Sequence, residues 1–140
     1  MTPAVDPTRV LRLLRALTDE VAVLERESSA SAQRRQDPMW LRGVKFSFVV
    51  AVEAAVDTAQ HVCAASGWGP PSDNGHAMRV LGPHGVIPPD LAARMAQAVG
   101  FRDVLVHDYA RVDDDVVVRR LGDLSDLTGF ATAVSSVVRP

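Results

Sequence analysis

The chain is short of cysteine, lysine and aromatic side chains, and each shortage removes a class of explanation. Cys63 is the single cysteine among 140 residues, so an internal disulfide is excluded and the composition suits a reducing compartment. Lys45 is the only lysine, and with a net charge of -2 there is no surplus of cations with which to coat nucleic acid by bulk electrostatics. A local RNA site stays open, because the positive charge is almost all arginine, the better residue for bidentate phosphate contacts. Aromatic residues make up 5%, and Trp40, Phe46 and Phe48 read as core or interface rather than as a base-stacking platform. Long apolar runs are also missing. The longest, Phe46 to Val52, is interrupted by Ser47 and closed by Glu53, too short for a bilayer. The start, Met1-Thr2-Pro3-Ala4-Val5-Asp6-Pro7, lacks the basic-then-apolar order of a leader, so a cytoplasmic protein that does not enter membranes is expected.

What is present is helical periodicity. Asp6-Pro7 is a cap-and-proline start, followed by Val10, Leu11, Leu14, Leu17, Val21 and Leu24 at three- and four-residue spacing, which predicts a helix from Pro7 to Glu27. The small polar stretch Ser28 to Gln33 reads as a connection. Asp37-Pro38 repeats the start signal, and an apolar face from Trp40 to Val62 predicts a long central helix stopped by Gly67. A turn-rich loop, Gly67 to Gly75, then precedes a short helix over His76 to Leu81. Another helix runs from Leu91 to Val99, with Gly100 placed to end or bend it. A last helix follows from Val116, Leu121, Leu124, Leu127, Phe130 and Val134, with Asp113-Asp114-Asp115 at its positive end and Gly122 as a weak point. Only Val116-Val117-Val118 offers a strand alternative. With no hairpin alternation, repeat or domain boundary, the expectation is one all-α antiparallel bundle over residues 1–140, of five to six helices, with 47% hydrophobic residues to fill its core.

The chemistry concentrates in Phe101-Arg102-Asp103-Val104-Leu105-Val106-His107-Asp108-Tyr109, which places a permanent cation, an imidazole and a phenol within eight residues. On an ideal helix at about 100° per residue, Arg102 and Tyr109 share a face while His107 lies roughly 140° from Arg102. The three groups cannot converge within one regular helix. Either the helix is distorted, or it begins after Arg102, or a second copy completes the site across a symmetric dimer, which is the preferred reading. Asp103, four residues before His107, is placed to orient the imidazole or hold its proton, and equally to be a solvated charge. Arginine with histidine suits attack of an RNA 2'-hydroxyl on the adjacent phosphate: the imidazole moves protons and the guanidinium stabilises the phosphorane-like transition state. The alternative is a structural histidine beside a surface arginine. Glu53, Asp57 and His61, spaced by four, form one polar stripe, read as facing the motif or a dimer partner in preference to a metal site. His76 and His84, in turn-rich sequence, are expected at the surface.

The order Glu53-Ala54-Ala55-x-Asp57, His61, Gly67-x-Gly69-x-Pro71, Gly85-Val86-Ile87, Leu91-Ala92 and Gly100-Phe101-Arg102-Asp103-x-Leu105-Val106-His107-x-Tyr109 resembles the HepT-like members of the HEPN superfamily. So does the tail from Val118 to Phe130. The resemblance implies a helical homodimer whose cleft holds two Arg-His pairs and cuts RNA without metal or cofactor, with Arg102 and His107 catalytic. It further implies a toxin role, with an MntA-like nucleotidyltransferase antitoxin that silences the ribonuclease by adding AMP to Tyr109. Two positions depart from the pattern. Asparagine often follows the motif arginine, where this chain has Asp103, which sets a carboxylate against substrate; and the segment Ser72 to His76 lacks the usual aromatic residue. With Asp103 compromising catalysis, the alternative is a non-catalytic module that binds a nucleotide or the nucleotidyltransferase.

Overall fold

The computed structural model describes residues 5–138; residues 1–4, part of the stretch read above for a leader, and residues 139–140 lie outside it. Among the described residues there are seven α-helices, one 3-10 turn and no strand. Helix α1, Pro7–Ser28, starts where Asp6 caps it, its carboxylate accepting from the Arg9 N–H at 3.2 Å. Val10, Leu14, Leu17, Val21 and Leu24 form its buried stripe. The connection is not a bare loop: a single turn, α2 (Ala32–Arg35), is capped by Ser31, whose hydroxyl accepts from the Arg34 N–H at 3.1 Å.

Helix α3, Pro38–Ser66, is the axis of the bundle, 29 residues long and packed against α1, α2 and every helix that follows it. Its start is capped by Asp37 and its end by Gly67, whose φ of +74° is left-handed and favours glycine. Trp40 and Phe48 are core residues, whereas Phe46 is 66% exposed and belongs to the surface. A polar knot ties α1, α2 and α3 together. Glu27, buried at the end of α1, accepts from Arg34 Nε at 2.7 Å, Arg34 Nη2 at 3.0 Å and Trp40 Nε1 at 2.9 Å. Its hydrogen bonds from Arg34, then those from Trp40, outweigh burial and pull its pKa down to about 2.

Helix α4, Asn74–Leu81, is capped by Asp73 and buries Ala77, Met78 and Leu81. Trp68 packs on the bundle and stacks on the exposed His84 ring, with centroids 3.8 Å apart. Helix α5, Pro89–His107, corrects the expectation of a stop at Gly100, because it runs through that residue. The glycine costs roughly 1 kcal/mol in a helix interior, and packing on its far side offsets it. Phe101 meets Phe48 of α3 edge-to-face at 5.4 Å, and Leu105 packs against the core. The last predicted helix is in fact two. Helix α6, Asp114–Arg120, is capped by Asp113, and α7, Ser125–Val138, follows after Asp123 accepts from the Ser125 N–H and hydroxyl. The break between them leaves Leu121 and Leu124 both buried. Val116, Val117 and Val118 lie within α6, so the strand alternative falls.

Candidate functional site

The last two turns of α5 carry the motif, and the helix is regular to His107, its final residue. Neither a distorted helix nor one that begins after Arg102 accounts for the spacing. Tyr109 lies beyond the helix: Asp108 caps it at φ -129°, ψ 41°, and Tyr109 opens the 3-10 turn Tyr109–Arg111. The shared helical face expected for Arg102 and Tyr109 therefore does not apply.

Arg102 points inward toward α3, and its side chain is 15% exposed. Nη1 donates to Asp103 Oδ1 at 2.8 Å, and Nη2 donates to Glu53 Oε2. Nε is buried and has no hydrogen-bond partner. The hydrogen bond to Asp103, followed by the charge of Glu53, holds the guanidinium firmly protonated against the opposing effect of burial. Asp103 is thus turned to Arg102, and among the described residues it makes no hydrogen bond or ion pair with His107. His107 itself is exposed at the helix end, and Tyr109 is 79% exposed. The structure brings together Arg102, Asp103 and Glu53; it leaves His107 and Tyr109 on the solvent side, with the half-exposed Val104 and Val106 between.

The polar stripe of α3 divides between two tasks. Glu53 faces the motif, as one reading of the sequence had it, while His61 turns to the other helix and accepts from the Asp6 backbone N–H at 3.0 Å through Nε2. That bond ties the start of α1 to α3. Asp57 lies between them, its carboxyl pushed up by burial and then by the charge of Glu53, with Arg9 and Arg102 acting the other way. Among the described residues, no three His, Cys, Asp or Glu side chains gather as a metal site. Cys63 is buried, which raises its thiol pKa. Beside the motif runs a groove of about 310 Å³ between α5 and α6, lined by Gly100, Phe101, Val104, Val112, Val116 and Arg120 among others. The Arg120 guanidinium lies 4.3 Å over the Phe101 ring.

The site offers an inward guanidinium bracketed by carboxylates, an accessible imidazole at the end of the same helix and an accessible phenol just beyond it. One subunit does not converge them. The tight pairing of Arg102 with Glu53 is the feature that periodicity missed; the placement of Glu53 in the polar stripe was the available signal, and its partner was not.

Comparison with known proteins identifies the family and the fold. The family described as ribonuclease HepT-like matches residues 9–134. A putative RNase of Archaeoglobus fulgidus is 27% identical over 95 residues, covering 68% of this chain and 71% of that protein. The mRNA nuclease HepT of Shewanella oneidensis is 28% identical over 87 residues, covering 62% of this chain and 65% of its own length. Among solved structures, the tri-AMPylated Shewanella oneidensis HEPN toxin in complex with MNT antitoxin superposes with a TM-score of 0.84 at 20% identity, over 91% of this chain and 97% of that one. The cytosolic protein YutE of Bacillus subtilis gives 0.84 at 16% identity, over 98% and 93%. At these identities the structural likeness speaks to fold.

Proposed function

Because the chain belongs to the ribonuclease HepT-like family, we propose that it is the toxin of a toxin–antitoxin pair, a cytoplasmic endoribonuclease that acts as a homodimer. The observation that carries this reading is the arginine–histidine pair in the last two turns of α5: Arg102 fixed against α3, His107 open to solvent, and a regular helix that keeps them apart within one subunit. Two copies of α5 side by side, with Val104 and Val106 of each in the contact, set the Arg102 of one subunit near the His107 of the other.

In that cleft the His107 imidazole takes the proton of an RNA 2'-hydroxyl as it attacks the adjacent phosphorus, and the 5'-oxygen leaves with a proton in return. The Arg102 guanidinium faces the charge that builds on the phosphorane oxygens. The products carry a 2',3'-cyclic phosphate and a 5'-hydroxyl, and DNA, lacking the nucleophile, is not cut. No metal takes part. Purified protein in EDTA should therefore cleave single-stranded RNA. Arg102→Ala and His107→Ala should each abolish cleavage and growth arrest, while mixed dimers of the two variants, which rebuild one intact composite site, should recover up to half the activity. Wild-type activity in either single variant defeats this reading, and a mixed dimer that stays dead removes the shared site.

Regulation follows from the exposure of Tyr109. An MntA-like nucleotidyltransferase partner transfers AMP from ATP to the phenol oxygen, with pyrophosphate leaving. The new phosphodiester puts bulk and negative charge beside His107, where the RNA phosphate has to sit. A second reading is favoured by the two carboxylates on Arg102: a non-catalytic module that binds a nucleotide or the nucleotidyltransferase. Nucleotide binding without RNA turnover would select it.

A further inference from the structure

Arg102 is held by a residue outside the motif. Glu53 reaches it from α3, 49 positions away in sequence, and its carboxylate accepts from Nη2 while Asp103 accepts from Nη1. The register that allows this is locked next door by the edge-to-face contact of Phe48 with Phe101. A guanidinium has five N–H groups. One on each terminal nitrogen is committed to a carboxylate and Nε is buried, which leaves one N–H on each terminal nitrogen for an incoming anion. The Arg102 side chain is 15% exposed, whereas Glu53 and Asp103 keep 43% and 48% of their side-chain exposure. Arg102 is thus clamped in its plane from two sides at the edge of solvent.

We infer that Glu53 is a positioning residue, which fixes the plane of the Arg102 guanidinium so that its remaining N–H pair meets a phosphodiester of RNA. The inference rests on the ribonuclease reading above and adds to it a residue that touches no substrate. It acts through Arg102 alone. Asp103 cannot replace it, because a neighbour in sequence on the same helix constrains the guanidinium from one side only, while Glu53 belongs to another helix and holds it against the bundle.

The test is a set of variants with two kinds of readout. Glu53→Ala should lower kcat for cleavage of a short single-stranded RNA about 10- to 100-fold, the scale of a misplaced catalytic group, with no rise in KM, because the substitution also removes a carboxylate that repels the RNA phosphate. Glu53→Gln, which keeps an accepting oxygen, should retain more activity than Glu53→Ala. In an Arg102→Lys background, Glu53→Ala should add no further loss, since the planar fork it positions is gone. Independently of turnover, the Arg102 Nε–H resonance should be protected from solvent exchange in the wild type and lose protection in Glu53→Ala, with circular dichroism confirming the helical fold of each variant. Cleavage at the wild-type rate or faster in Glu53→Ala overturns the inference, as does an equal loss in the Arg102→Lys background or unchanged protection of the resonance. A wild-type protein that cuts no RNA defeats the ribonuclease reading instead, and the resonance still decides whether Glu53 holds Arg102.

Discussion

Replacing Asp103 by asparagine removes one negative charge and keeps an oxygen that accepts from Arg102 Nη1, so it separates the electrostatic cost of this carboxylate from its geometric use. Two carboxylates on one guanidinium leave the cluster with net negative charge, and Asp57 adds to it from the next turn of α3. A phosphate on the remaining edge of Arg102 would sit roughly 7 Å from the Asp103 carboxylate, two hydrogen-bond lengths plus the width of the guanidinium. Across that distance the repulsion is about 0.6 kcal/mol in water and about 1.2 kcal/mol at half the dielectric constant of water. Asp103 is 48% exposed, which places it between these limits, so Asp103→Asn should tighten RNA binding by about 3- to 8-fold. The assay is the KM for RNA cleavage together with the Kd for RNA measured in catalytically dead His107→Ala. Near physiological ionic strength the screening length is about 8 Å, so the gain should shrink as salt rises. Weaker or unchanged RNA binding refutes the reasoning, and a gain that persists undiminished at high salt assigns it to packing instead of charge.

Two further outcomes follow from the same structure. Glu27, with its pKa pulled down to about 2 by Arg34 and Trp40, stabilises the fold fully above the ordinary glutamate value near pH 4.3, and that contribution is lost as pH falls from there toward 2. Glu27→Gln should cost about 1.5–3 kcal/mol at pH 7, the range for hydrogen bonds to a charged group, and flatten the acid limb of stability measured by urea unfolding; an unchanged acid limb counts against it. Incubation with ATP and the partner nucleotidyltransferase should raise the mass of the wild-type chain by AMP and leave Tyr109→Phe unmodified. Tyr109→Phe should also cut RNA and resist silencing, and modification of that variant would move the acceptor elsewhere.

The sequence by itself determined what depends on near neighbours. Asp6-Pro7, Asp37-Pro38 and Gly67 mark the bounds of α1 and α3 because capping and a left-handed stop are satisfied within one turn of chain. The apolar stripes at three- and four-residue spacing announced an all-helical bundle, and the Arg-Asp-x3-His-x-Tyr order marked the end of α5 as the chemical region. The angular argument that Arg102 and His107 diverge also needed only the pitch of a helix. Tertiary structure decided the rest. Gly100 lies inside α5 because Phe101 finds Phe48 across the interface, and the terminal helix divides where Leu121 and Leu124 both find the core. Asp103 has two basic neighbours, Arg102 beside it and His107 a turn away, and it pairs with Arg102, which Glu53 also holds from α3. A carboxylate 49 residues distant leaves no periodic trace of its partner, because what joins them is the packing of α3 on α5 and not any spacing along the chain.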